Sequence, residues 1–248
     1  MKHRYNLILL FLLLSHFSPA LDLNTNQWVD FEGKLGNLDI RLSLFRLENG
    51  KIAGNYCYKK YDTKIKLVGR MDGNKISLSE IVNGKSQGNF TGVFTNKNDS
   101  FEGKWTNQIR ILDFNLHISS IPAIGNLEHR YSFFDKTDDD VEIFMRKVKK
   151  AILTNNKVWI AKYVNYPLRT HLSNKKAITI KTPKQLIANF DEIFHEEFKK
   201  EIAPFCCCNL FFNSDGAMLG DGHIWINPGN ADDVYPYTIT AINNVELY

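Results

Sequence analysis

Between Trp28 and Ile118 apolar side chains fall at every second position, in the segments LDIRLSLF, ENGKIAGNYCY, KIKLVG, MDGNKISLSE, GNFTGVF, NDSFEGKW and ILDFNLHI. A period of two places alternate side chains on opposite faces of an extended chain, so the pattern predicts half-buried strands. Leu38, Ile40, Leu42 and Leu44 share one face, as do Tyr56 and Tyr58, Ile76 and Leu78, Phe90 and Phe94, Phe101 and Trp105, and Phe114, Leu116 and Ile118. The intervening positions carry Arg41, Ser43, Asn55, Lys66, Lys75, Thr91, Lys104 and Asn115, which reads as one dry face and one wet face. Asn49-Gly50, Asp72-Gly73 and Asn83-Gly84 are hairpin turn signals, because these pairs tolerate positive φ. Seven or eight strands over residues 27–118 predict an antiparallel β meander that curls into a small barrel or sandwich. Gly54, Gly69, Gly92 and Gly103 lie within strands, where they permit curvature or close backbone approach. Glu80 falls on the apolar side by parity, and a buried acid there needs a Tyr or Lys partner.

The alternation breaks at residues 119–137, a linker with Pro122, Gly125 and an aromatic patch of Tyr131, Phe133 and Phe134. From residue 138 the period becomes helical. Asp138 to Asp140 favour the positive end of a helix dipole, and Val141, Phe144, Met145, Val148 and Ile152 recur at helix spacing. A second short helix is expected from Lys157 to Val164, a strand over KKAITIKT, and one long helix over 183–202 begun by Thr182-Pro183. The strands CCCNLFFN, AMLG with GHIWINP, and YPYTITAIN close the chain, with turns at Asp215-Gly216 and Asp221-Gly222. Residues 138–248 therefore predict helices on one face of a curved antiparallel sheet, an α+β domain.

Composition adds a compartment to this picture. Residues 1–20 open with Lys2, His3 and Arg4, continue through an apolar run from Leu7 to Leu14 and end on Ser18 and Ala20, the outline of a secretory signal peptide. The run is short for a bilayer core of about 30 Å. Removing those residues leaves 29 basic against 27 acidic side chains, a formal charge of +2. So even a balance argues against nucleic acid as a partner. A periplasmic or secreted protein with no membrane span after cleavage is expected. Cys57 stands alone, and Cys206, Cys207 and Cys208 are consecutive. In an oxidising compartment this admits either buried free thiols or a bridge. The spacing does not match a zinc site, and no cofactor motif is present.

The first module resembles a segment found in uncharacterised exported bacterial proteins, through Gly54/Tyr56/Tyr58, Ile65/Leu67/Gly69, Leu78/Glu80, Gly88/Phe90/Gly92 and Phe101/Gly103/Trp105. In those proteins it accompanies varied partner domains, including ones resembling lysozyme inhibitors. The second half resembles the cystatin-like, or NTF2-like, α+β fold through YVNYPL, the 183–202 segment, LFFNSDGAMLGDGHIWIN and YTITAIN. The resemblance implies an envelope protein; that fold hosts enzymes, ligand pockets and pure binding modules alike.

His223, Trp225 and Asn227 alternate with Ile224 and Ile226, giving a polar-aromatic row that lines a cavity or forms an ordinary sheet face. Asp215, Asp221 and Tyr237 are candidates to join it, and Trp225 offers a stacking surface for a sugar. Pairing of Cys206 or Cys208 with His223 would be a minimal nucleophile–base arrangement, without an evident orienting acid. His195 is not part of a zinc protease motif, since Lys199 stands where the second His belongs. The sequence thus reads as a non-catalytic binding protein with a protein partner in the cell envelope, an inhibitor or immunity protein against a cell-wall-acting enzyme. The alternative is a small-molecule or sugar binder that uses a C-terminal cavity.

Overall fold

The computed structural model describes residues 23–95, 99–122, 124–229 and 235–245. The signal peptide expected at residues 1–20 lies outside them. Eight strands come first: β1 (Trp28–Leu35), β2 (Leu38–Arg46), β3 (Lys51–Tyr58), β4 (Lys64–Asp72), β5 (Lys75–Val82), β6 (Lys85–Thr95), β7 (Ser100–Thr106) and β8 (Ile111–Ser120). Each pairs antiparallel with the next, and β1 pairs with β8, so the meander closes into a barrel. The inward face is the one that parity selects. Phe31, Leu42, Tyr56, Phe90, Phe101 and Leu116 are all buried. Phe90, Phe101 and Phe114 meet edge to face with centroids 4.7–5.3 Å apart. Closure brings β6 and β7 close together where Gly92 faces Gly103. A Cβ on Gly103 would sit 2.2 Å from the Thr91 carbonyl oxygen and 2.5 Å from Gly92 Cα.

Glu80 is inside the barrel with two partners. Tyr56 Oη donates to its carboxylate at 2.5 Å and Trp105 Nε1 at 2.6 Å. Burial first, and then Glu80, push the Tyr56 phenol far above its ordinary range, so it remains a donor. Gly88 makes room for this contact, since a Cβ there would lie 2.8 Å from Glu80 Oε2 and from the Trp105 ring.

The outer face departs from expectation over β1–β3. Asp30, Ser43, Phe45 and Cys57 occupy outward positions and are nonetheless buried. Arg130 of the linker meets Asp30 and Ser43, Trp28 packs on Phe45, and Cys208 of the second module meets Cys57.

That module begins with α1 (Asp138–Leu153) and α2 (Lys157–Tyr163). Thr137 caps α1 in a reciprocal box with Asp140. A two-stranded sheet, β9 (Leu168–His171) and β10 (Ala177–Ile180), follows. The single helix expected over 183–202 is instead three short ones, α3 (Pro183–Ala188), α4 (Phe190–Ile193) and α5 (Glu196–Ile202). The break before α5 has a local cause: His195 is extended and its Nδ1 accepts from Phe198 N, so it starts a new helix rather than continuing the old one. The kinks let Phe190, Ile193, Phe194 and Phe198 all turn inward. A four-stranded antiparallel sheet closes the fold, in the order β11 (Phe211–Asn213), β12 (Gly216–Leu219), β13 (Ile224–Pro228), β14 (Tyr237–Ile242). Its inner face, Phe212, Ala217, Ile224, Ile226 and Ile239, shares one core with α1 and with the three short helices. The barrel has a separate core, and a third small cluster joins Cys57, Cys206 and Cys208. Among the described residues no helix is long and apolar enough to cross a membrane.

Candidate functional site

The chemistry-bearing side chains of this chain concentrate at the seam between the two modules. Linker residue Arg130 is its hub. The guanidinium is buried and donates to Asp30 Oδ2 at 2.6 Å, to Ser43 Oγ at 2.8 Å, and to the Leu210 and Asn209 carbonyl oxygens at 3.0 and 3.3 Å. Asp30 also accepts from Ser43 Oγ and Ser120 Oγ, both at 2.6 Å. One carboxylate on β1 thereby gathers β2, β8, the linker and the chain entering β11. Burial, the largest influence, works against the Arg130 charge, but Asp30, Tyr131 and Glu142 together outweigh it, and the guanidinium stays cationic.

A second network runs beside it. Glu142 of α1 accepts from Tyr131 Oη at 2.9 Å and from Asn209 N at 2.8 Å, and pairs with Lys64 of β4 at 3.1 Å. Lys64 also meets Asp139 at 2.7 Å. Burial raises the Glu142 pKa above 4.5, with Lys64 opposing it. Between 4.5 and the raised value the folded chain therefore holds more protons than the unfolded one. Stability from this group is full below that window and declines as pH rises through it. Glu142→Gln is expected to flatten this decline, read as the pH dependence of the urea midpoint from 4.5 towards neutrality.

The third component is sulfur. Cys57 of β3 and Cys208 form a disulfide. Cys206 Sγ lies 2.7 Å from Cys208 Sγ and 3.3 Å from Cys57 Sγ, and donates to Asp62 Oδ1 at 2.9 Å. Asp62 Oδ1 also accepts from Cys207 N at 2.8 Å. Cys207 points the other way, into the second core. These residues lie outside the strand expected for them, yet the alternation of Cys206 and Cys208 against Cys207 holds. Burial, and then Asp62, drive the Cys206 thiol well above its usual value, and the Cys207 thiol is pushed up to about 12 by the same two causes in the same order.

The residues singled out from sequence divide into four places. Asp215 sits in the β11–β12 turn and its carbonyl accepts from Asn227 Nδ2 at 2.7 Å. Asp221 sits in the β12–β13 turn at the opposite end of β12, and its N–H donates to His223 Nδ1 at 3.2 Å. Trp225 lies between them on the outer sheet face, half-buried, edge-on to Phe211. Tyr237 belongs to the inner core, against Phe134 and Phe144. His223 packs on Phe198 and Phe205 and lies 3.6 Å from Glu201. Cys206 and Cys208 turn to Cys57 and Asp62, and no hydrogen bond joins either to His223. The six candidates thus do not form one cluster. Asp30, Arg130 and Glu142 were not among them, because the contacts that join the modules, Arg130 to Asp30 and Asn209 to Glu142, span 100 and 67 residues and leave no local pattern.

Grooves open elsewhere among the described residues. One of about 660 Å³ at a barrel mouth is lined by Lys85, Gln87, Asn89, Thr106, Asn107 and Ile109. Another of about 270 Å³ is lined by Lys175, His195, Glu197, Glu201 and Asn244. Comparison with family models, with curated proteins and with solved structures finds no match for this chain.

Proposed function

We propose that this chain is an exported, non-catalytic binding protein whose second module is a cystatin-like (NTF2-like) domain, and that it docks on a protein partner in the cell envelope as an inhibitor or immunity protein of a cell-wall-acting enzyme. The observation that carries the reading is the contrast between filled interiors and an apolar rim. The barrel bore is packed with aromatic rings. In an up-and-down barrel the β1–β2, β5–β6 and β7–β8 turns lie at one mouth, and there Leu38, Val82, Ile109 and Ile111 are exposed, Ile109 at 86%. Apolar side chains gathered on hairpin ends around a polar groove suit a protein surface. The Asn213–Gly216 and Gly220–Gly222 turns are further candidate tips for occluding a cleft. They lie at opposite ends of β12, so one cleft would receive one of them.

The test is retention of envelope proteins on the immobilised mature chain, alongside chains carrying Ile109→Asp with Ile111→Lys, Asp215→Arg, or Asp221→Arg. A partner held by the parent chain and lost with one set of tip changes is expected. Recovery of no partner at low and at moderate salt overturns the reading. Trp225, half-exposed beside Phe211 and Asn227, favours the second reading, a sugar or small-molecule binder. A rise in unfolding temperature with wall fragments that vanishes in Trp225→Ala would select it.

A further inference from the structure

We propose that Cys57, Cys206 and Cys208 form a thiol–disulfide exchange site, in which one bridge is shared among three sulfurs and its position decides whether a disulfide crosses the seam between the two modules. The inference is independent of what the protein binds. It rests on geometry: the free Cys206 sulfur stands beside the bridge, 2.7 Å from Cys208 Sγ and 3.3 Å from Cys57 Sγ, so a side-chain rotation that brings it in line with the S–S bond lets it meet either sulfur. At rest Cys206 keeps its proton and donates it to Asp62 Oδ1 at 2.9 Å.

The exchange needs no external oxidant. Cys206 loses its proton to hydroxide, and the sulfur lone pair attacks one sulfur of the bridge. The Cys57–Cys208 bond breaks, its electron pair leaves on the departing sulfur, and that thiolate is reprotonated by water. One bridge and one thiol exist before and after. Attack on Cys57 gives Cys57–Cys206, which still ties β3 to the second module. Attack on Cys208 gives Cys206–Cys208, a bridge within one segment, and leaves Cys57 as a thiol. In that state only non-covalent contacts hold the seam: Arg130 with Asp30, Lys64 with Glu142, and Asn209 Nδ2 donating to Asn55 Oδ1 at 2.8 Å.

Burial first, and then Asp62 on the β3–β4 loop, disfavour the Cys206 thiolate, while Arg41 on β2 favours it. The net effect keeps Cys206 protonated at neutral pH, so exchange is slow there and accelerates with alkali. Removing the Asp62 charge lowers the thiol pKa. Each unit of lowering raises the thiolate fraction tenfold and, at a Brønsted slope near one half, reduces its nucleophilicity about threefold, a net gain of about threefold.

The experiment uses the oxidised full mature chain. It is held at a series of pH values, quenched in acid, alkylated and mapped by peptide mass spectrometry. The expected result is alkylation distributed over Cys57, Cys206 and Cys208, with the fraction on Cys57 and Cys208 growing faster at higher pH. Cys207, aimed into the second core, stays out of the exchange. Cys206→Ser is expected to freeze the chain as Cys57–Cys208, and Asp62→Asn to speed redistribution at neutral pH by about threefold or more. Label confined to Cys206 and Cys207 at every pH, with Asp62→Asn unchanged, overturns the proposal. So does a chain isolated with all three thiols reduced around one equivalent of bound metal.

Discussion

Arg130→Met is expected to lower stability by about 3–5 kcal/mol, the usual cost of removing one partner from a buried ion pair. The side chain is of similar length, so the loss is not mainly one of volume. Asp30 would keep its two serine donors, Ser43 and Ser120, but would lose its counter-charge in a place fully shielded from water. The Leu210 and Asn209 carbonyls would lose their donor at the same time. Urea unfolding of the parent, Arg130→Met, Asp30→Asn and the double variant forms a cycle. Residues that share one network are expected to couple, so the double variant should lose less than the two single losses combined. Strict additivity would show that the pair acts as two separate hydrogen-bonding groups. The unfolding midpoint is the decisive reading, because the two cores are separate and the seam joins them.

Glu80→Leu is expected to cost about 2–4 kcal/mol, since it leaves the Tyr56 hydroxyl and the Trp105 indole N–H buried without their acceptor. Glu80→Gln retains an amide oxygen in the same place and should cost much less. Thermal unfolding gives the magnitude, and near-ultraviolet circular dichroism reports the setting of the Tyr56 and Trp105 rings. Equal losses in the two variants would mean that the carboxylate fills space rather than accepting hydrogen bonds. The site lies wholly within the barrel, so its effect should leave the Arg130 cycle unchanged.

The two networks differ in how far the amino-acid sequence announces them. Glu80 is legible because strand parity places it among apolar neighbours, and a tyrosine partner follows from the need to satisfy a buried acid, whereas the Trp105 indole does not. The same parity predicts the barrel wall, since each strand reports its own buried face. It fails at Asp30, Ser43 and Cys57, which occupy the face that solvent would wet if the barrel stood alone. The linker and the second module meet them there, through Arg130, 87 and 100 residues from Ser43 and Asp30, and through Cys208, 151 residues from Cys57. Trp28 and Phe45, which pack on each other at outward positions, are the one local trace of that covering. The broken helix at 183–202 fails for a different reason. Helical periodicity survives a kink, and the signal for the break is one histidine acting as a cap, a role that spacing does not reveal.

Closure of the eight strands also limits how any other chain can attach. In the cylinder every strand has a neighbour on both sides, so no row of free amides and carbonyls is offered for an incoming strand to zip onto. Recognition by main-chain addition is thereby confined to the second module, where the short β11 forms one margin of the four-stranded sheet and β14 the other. Of these, β14 already engages Val164 and Asn165. The first module can be read only through its side chains and hairpin ends, which also protects it from edge-to-edge self-association.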